Sequence, residues 1–148
     1  MVTKNDAAIV EADSAEVVTY DTRAARTPKA YSSVTGDDVN ARKLVYNAVN
    51  NAEQISDHLG VEFQLSNIIQ QPTSSVNEDT GVVESYTRTT LITPEGKAYS
   101  AGSDGIAGSV ENLLSAFGEP HTWGEPLTVK VVERRSRNKR TFFSIEVI

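Results

Sequence analysis

The chain has 148 residues, 39% of them apolar and 23% charged, which allows one domain with a single sizeable core. No stretch approaches the roughly 18 apolar residues of a membrane span. No apolar signal region follows Met1-Val2-Thr3-Lys4-Asn5-Asp6, so a cytoplasmic location is expected. With no cysteine, a disulfide frame, a thiolate zinc site and cysteine nucleophile chemistry are excluded.

The net charge of −6 argues against a polyanionic partner until its distribution is read. Residues 1–40 carry −3 and residues 44–127 carry −9. Residues 128–140 hold six cations, Lys130, Arg134, Arg135, Arg137, Lys139 and Arg140, against Glu133 alone. Local field, not the total, decides where phosphates can sit.

In chain order, residues 1–41 read as an acidic, flexible N-terminal tail. They lack sustained periodicity, allow a weak helix over Ala7 to Val18, and end near the turn-rich Thr35-Gly36-Asp37-Asp38. The folded domain is expected to run over 42–148. Lys43 to Val49 reads as a first strand, with Tyr46 in line with Leu44 and so facing the core. A polar connection with room for a helical turn spans Asn50 to Gly60. Val61, Phe63, Leu65 and Ile69 then alternate with Glu62, Gln64, Ser66 and Gln70, the period of a half-buried strand.

Residues 72–81 read as a loop by composition. Val82 to Thr93 is a third strand, Pro94-Glu95-Gly96 a turn, and Lys97 to Ser100 a short return strand. One helix follows, capped by Ser103 or Asp104, with Ile106, Val110, Leu113, Leu114 and Phe117 on one face and Gly118 as its stop. Leu127, Val129 and Val131 alternate in a fourth strand. Thr141 to Ile148 forms a fifth, joined to it by the basic turn. This order predicts an all-β domain with one helix: a five-stranded OB-like barrel with its helix between strands three and four.

Three blocks carry a resemblance: Thr89 to Ala101, Leu127 to Val132 and Thr141 to Val147. Their threonine-rich strand, acid-Gly turn, Tyr-Ser pair, Lys-flanked valine strand and Phe-Phe-Ser ending resemble the single-stranded DNA-binding proteins of small, protein-primed tailed phages. The likeness covers roughly residues 43–148. The acidic segment before residue 41 is longer than that family leads one to expect, and the turn Arg134 to Arg140 is more basic. The resemblance implies an OB-like domain that covers displaced single strands behind a polymerase.

A single-strand binder needs positive charge for phosphates and flat side chains for bases. Alternation puts Phe143, Ile145 and Val147 on one face of the last strand and Phe142, Ser144 and Glu146 on the other. Phe142 is therefore a candidate base platform, or else packs under a loop or the tail. Tyr86 and Arg88 share a face with Glu84 and Thr90, and could bind together or form a cross-strand pair on a solvated sheet. Tyr99 belongs to the Tyr-Ser block, or caps the barrel. Trp123 could stack, but better suits plugging a barrel end. Lys130, Arg134, Arg135, Arg137, Lys139 and Arg140 are assigned to phosphates against the alternative of a solvated turn.

His58 and His121 stand alone, without metal-ligand spacing. Gly102, Gly105 and Gly108 lack the Lys-Ser or Lys-Thr of a phosphate loop, and no nucleophile elbow appears. No catalytic residue, metal or cofactor is expected. The reading is a non-enzymatic, sequence-tolerant single-stranded DNA binder of phage or mobile-element replication. The acidic tail is a candidate contact for replication proteins, and self-association is compatible with the sequence. Its rivals are a phage structural or accessory protein–protein module on a small β-barrel, and an oligosaccharide-binding domain.

Overall fold

The computed structural model describes residues 30–148. The acidic stretch before them, with the weak helix expected over Ala7 to Val18, lies outside the described residues. In order come β1 (Tyr31–Ser32), α1 (Val39–Asn51), β2 (Glu53–Gln54), a 3₁₀ turn (Ile55–His58), β3 (Phe63–Leu65) and β4 (Asn67–Val76). They are followed by β5 (Val83–Ile92), β6 (Ala98–Ala101), α2 (Asp104–Phe117), a second 3₁₀ turn (Pro120–Thr122), β7 (Leu127–Arg135) and β8 (Thr141–Val147). The protein is mostly β, with two helices rather than one among the described residues.

The additional helix replaces the expected first strand at Lys43 to Val49. Asp38 caps it, its carboxylate accepting the Ala41 N–H at 2.9 Å. Leu44, Val45, Ala48, Val49 and Ala52 then recur at helical spacing and pack on Ile69, Ile92 and Ala98. The period-two alignment of Leu44 with Tyr46 was the weaker of two patterns. It placed Tyr46 in the core, whereas the ring lies on the solvent side of α1 and is 69% exposed.

A second difference concerns residues 72–81. The loop is shorter than expected, because β4 continues to Val76 and pairs with β5 along its whole length, from Asn67–Ile92 to Val76–Val83. Pro72 is tolerated because β1 pairs only with Ile69 and Gln70, leaving that edge of β4 open farther along. The turn itself is held by Asn77, whose side-chain oxygen accepts from the Asp79 and Thr80 N–H groups.

Two sheets result, ordered β1-β4-β5-β6-β2 and β3-β7-β8. They are joined through a single residue. β3 pairs with β7 and β4 with β5, and only Ser66 separates β3 from β4. There the Ser66 N–H and hydroxyl both donate to the Ile92 carbonyl, at 2.8 and 3.1 Å. Leu65, Ile68, Leu91, Val129 and Val131 fill the main core with Ile106, Val110 and Leu113 of α2.

The expected barrel does not close. No ladder joins β6 to β8 among the described residues. Instead α2 follows β6 and lies along β8, where the Ser109 hydroxyl accepts the Ile145 N–H at 3.2 Å. Gly105 permits this approach, since a Cβ there would overlap the Phe143 carbonyl oxygen. Ser103 caps α2, accepting from the Ile106 N–H.

β1 is short but firmly tied. The buried Ser33 beyond it accepts the Ile68 N–H at 2.8 Å and donates to the Asn67 side chain at 2.9 Å. Tyr31 packs on the main core and donates to Glu119 at 2.7 Å. Burial, reinforced by that carboxylate, holds the Tyr31 phenol above its ordinary value. Ser33→Ala orphans a buried N–H and is expected to cost about 1–3 kcal/mol. A lower urea midpoint at unchanged m would show it, and an unshifted midpoint would mean that the strap does not support the fold.

Candidate nucleic-acid interface

The larger sheet has two unlike faces. One carries Ile68, Leu91 and Tyr99 into the main core. The other carries Glu84, Tyr86, Arg88, Thr90 and Ile92 of β5. Helix α1 covers only the Ile92 end of this outer face, over Ile69 and Ala98. Tyr86 and Arg88 remain half-buried on the uncovered part, in register with Thr73 and Gln71 of β4.

The structure brings Tyr86 and Arg88 together around shared space. An open cleft of about 230 Å³ is lined by both, with Gln54 and Ser100. A neighbouring cleft of about 590 Å³ runs from Ser75 and Glu84 past Tyr86 to Ser103 and Asp104. The Tyr86 ring separates the two, and it lies flat enough on Gly102 that a Cβ there would come within 2.8 Å of the ring.

Tyr99, the other tyrosine singled out, is placed differently. It is 5% exposed, packs against Phe63 at 4.8 Å and His58 at 4.9 Å between ring centroids, and leaves no room for a base. Beside it, Glu53 meets His58 at 2.7 Å and Lys97 at 3.7 Å. Trp123 donates from its indole to the Gly118 carbonyl at 2.9 Å and packs on the edge of the core.

The β7–β8 hairpin carries the cations. Its inner face buries Val129 and Val131, with Phe143 and Ile145 packed against the core. Its outer face carries Lys130, Val132 and Arg134 opposite Glu146, Ser144 and Phe142. Phe142 is 40% exposed. Glu146 accepts from Arg134 at 3.0 Å and faces Lys130 at 3.4 Å, so these two cations are partly neutralised. Arg135, Arg137, Lys139 and Arg140 are exposed around the turn, where the Ser136 N–H donates to the Arg140 carbonyl.

The link between the two regions was not legible as such. Gly102-Ser103-Asp104-Gly105 connects β6 to α2, with Tyr86 against Gly102 and the Phe142 Cβ beside Gly105. Three residues span at most about 11 Å of chain. An aromatic beside Arg88 and an aromatic beside Arg134 therefore flank one short segment. The sequence signal was the glycine pair itself, considered only as a phosphate loop. Close backbone approach is the commoner reason for such glycines. Gln71 was also passed over, although the alternation of Ile69, Gln71, Thr73 and Ser75 continues through Pro72.

Flat side chains interleaved with arginines beside an exposed cationic hairpin suit a polymer of bases and phosphates. Residues 24–148 match the family model described as phage single-stranded DNA-binding protein, of the phi29 type, and the chain belongs to that family. The match reaches farther toward the N-terminus than the resemblance read from residues 43–148. No curated protein and no solved structure matches the chain significantly. Among the described residues, no helix is long and apolar enough to cross a membrane.

The two glycines are expected to respond differently to alanine. Gly105→Ala forces α2 away from the β8 backbone and should cost about 1–3 kcal/mol or more. Gly102→Ala meets only the Tyr86 ring, which can swing aside, so urea midpoints should separate the two variants clearly. Equal midpoints would contradict the close α2–β8 contact.

Proposed function

We propose that this protein coats single-stranded DNA during the replication of a phage or similar mobile element, as a binder and not a catalyst. The observation that carries the reading is the convergence of Tyr86 and Phe142 on the Gly102–Gly105 junction, each with an arginine on its own face. The strand crosses that junction with bases stacked on the two rings. Arg88, Lys130, Arg134, Arg135, Arg137, Lys139 and Arg140 follow its phosphates. Recognition by stacking and charge carries no sequence readout, and acidic surface elsewhere confines the strand to this path.

The fold supports this reading as an opened barrel of the OB type. β3 and β4 act as one bent strand, giving the path β8-β7-β3/β4-β5-β6, with α2 standing where β6 and β8 would otherwise meet. We assign the acidic N-terminal segment to contacts with replication proteins.

Tyr86→Ala and Phe142→Ala should each weaken oligo-dT binding by about 1–3 kcal/mol. Phe142→Ala should leave the thermal midpoint nearly unchanged, whereas Phe143→Ala should cost about 3–5 kcal/mol of folding. Titration of both variants beside calorimetric melts checks this, and full binding by both single variants would overturn the stacking assignment.

Replacing Arg135, Arg137 and Arg140 together with Ala should flatten the slope of log affinity against log salt by about two units, at roughly 0.7 per phosphate contact. Stability should hardly move, because exposed charges in a turn contribute little. A slope equal to that of the parent protein would remove these arginines from the interface.

A further inference from the structure

We propose that the groove between α1 and the β1–α1 connection is a second platform for the same single strand, with Tyr46 stacking on a base and Arg42 meeting a phosphate. This extends the reading of the chain as a single-stranded DNA binder and rests on it.

The groove encloses about 390 Å³, with Val34, Val45 and Val49 among its walls and Arg42, Asn50 and Gln71 at its polar margin. Arg42, Tyr46 and Asn50 fall at positions i, i+4 and i+8 of α1 and so share one face. All three are exposed. The Asn50 side chain donates to the Tyr46 carbonyl at 3.0 Å, which fixes it at the margin. An apolar slot with a few placed polar groups is what a base and its backbone require.

Continuity selects the occupant. Gln71 lines the groove and stands directly opposite Arg88 in the β4–β5 ladder, on the outer face that also carries Tyr86. A strand lying on Tyr86 and Arg88 passes over Gln71 and reaches Tyr46 without leaving that side of the sheet. Asp37 and Asp38 lie in the connection between Gly36 and Ala41, two of the residues that line the groove. The Asp38 carboxylate is turned to the helix N-terminus, where the Ala41 N–H and the positive end of the dipole offset its charge. Arg42 supplies the cation that an apolar protein partner would not need.

Three readouts on the full chain test the assignment. Oligo-dT containing 5-iododeoxyuridine, irradiated in complex with the protein, should crosslink at Tyr46 as well as at Tyr86 or Phe142. Tyr46→Ala should weaken binding to a dT oligomer of about 16 nucleotides by about 5- to 150-fold. Binding of an oligomer of about four nucleotides should change far less. Arg42→Gln should flatten the salt slope by about 0.7. The exposed ring makes Tyr46→Ala neutral for folding, and a melt confirms it. Crosslinks at Tyr86 or Phe142 with none at Tyr46, or full affinity of Tyr46→Ala for the longer oligomer, overturn this platform and leave the primary reading standing. Absence of crosslinks at all three rings defeats the primary reading itself. A loss of self-association by Tyr46→Ala at unchanged DNA affinity, seen by sedimentation, would give the groove to a second copy and overturn the inference.

Discussion

The bend at Ser66 is the constraint on which the remaining structure depends. One run of chain from Phe63 to Val76 hydrogen-bonds to β7 before the bend and to β5 after it, so both sheets are hung on a single strand. The paired donation from Ser66 to the Ile92 carbonyl keeps the polar backbone satisfied where the ladder changes partner. Leu65 and Ile68, on either side of the bend, both enter the main core. Because the two sheets diverge from this point, α2 can enter between β6 and β8, and the outer face of the large sheet is left partly uncovered.

How much of this was readable in advance follows from the kind of pattern each segment carries. β5, β7, β8 and α2 have strong periodicity and clear stops, and their limits came within a residue or two, apart from β7's continuation to Arg135. The facing of Phe142 against Phe143 follows from alternation alone. α1 was misread because Leu44, Tyr46 and Ala48 satisfy a period of two over a short window, whereas the adjacent pairs Leu44-Val45 and Ala48-Val49 recur at helical spacing. Its cap, Asp38, had been assigned to the end of the tail. The far half of β4 was lost to its composition, since Pro, Thr and Ser are turn residues except along an open edge. The meeting of Tyr86 with Gly102 and of Phe142 with Gly105 is a tertiary fact, set by where α2 lands, and no local pattern encodes it.

Charge is managed at two scales. Over the whole chain the excess is negative, and a net charge of one sign opposes close approach of other acidic surfaces. On the hairpin, Glu146 sits between Lys130 and Arg134 and holds their side chains in place along the outer face. The remaining cations, Arg135, Arg137, Lys139 and Arg140, stand exposed around the turn. The arrangement separates an ion-paired stretch of the hairpin from an exposed cationic turn.

The strap at Tyr31–Ser32 has a consequence for behaviour at high concentration. A long strand such as β4 offers a template on which a neighbouring chain can add its own strand, the usual start of fibrous aggregation. Here the two-residue β1 occupies that edge at Ile69 and Gln70 and is too short to serve as a template itself. Pro72 removes a donor from the stretch beyond it. On the smaller sheet, the Ser109 hydroxyl occupies the Ile145 N–H on the free side of β8. Where copies of the chain meet at high concentration, these small covers keep their sheets from fusing into one.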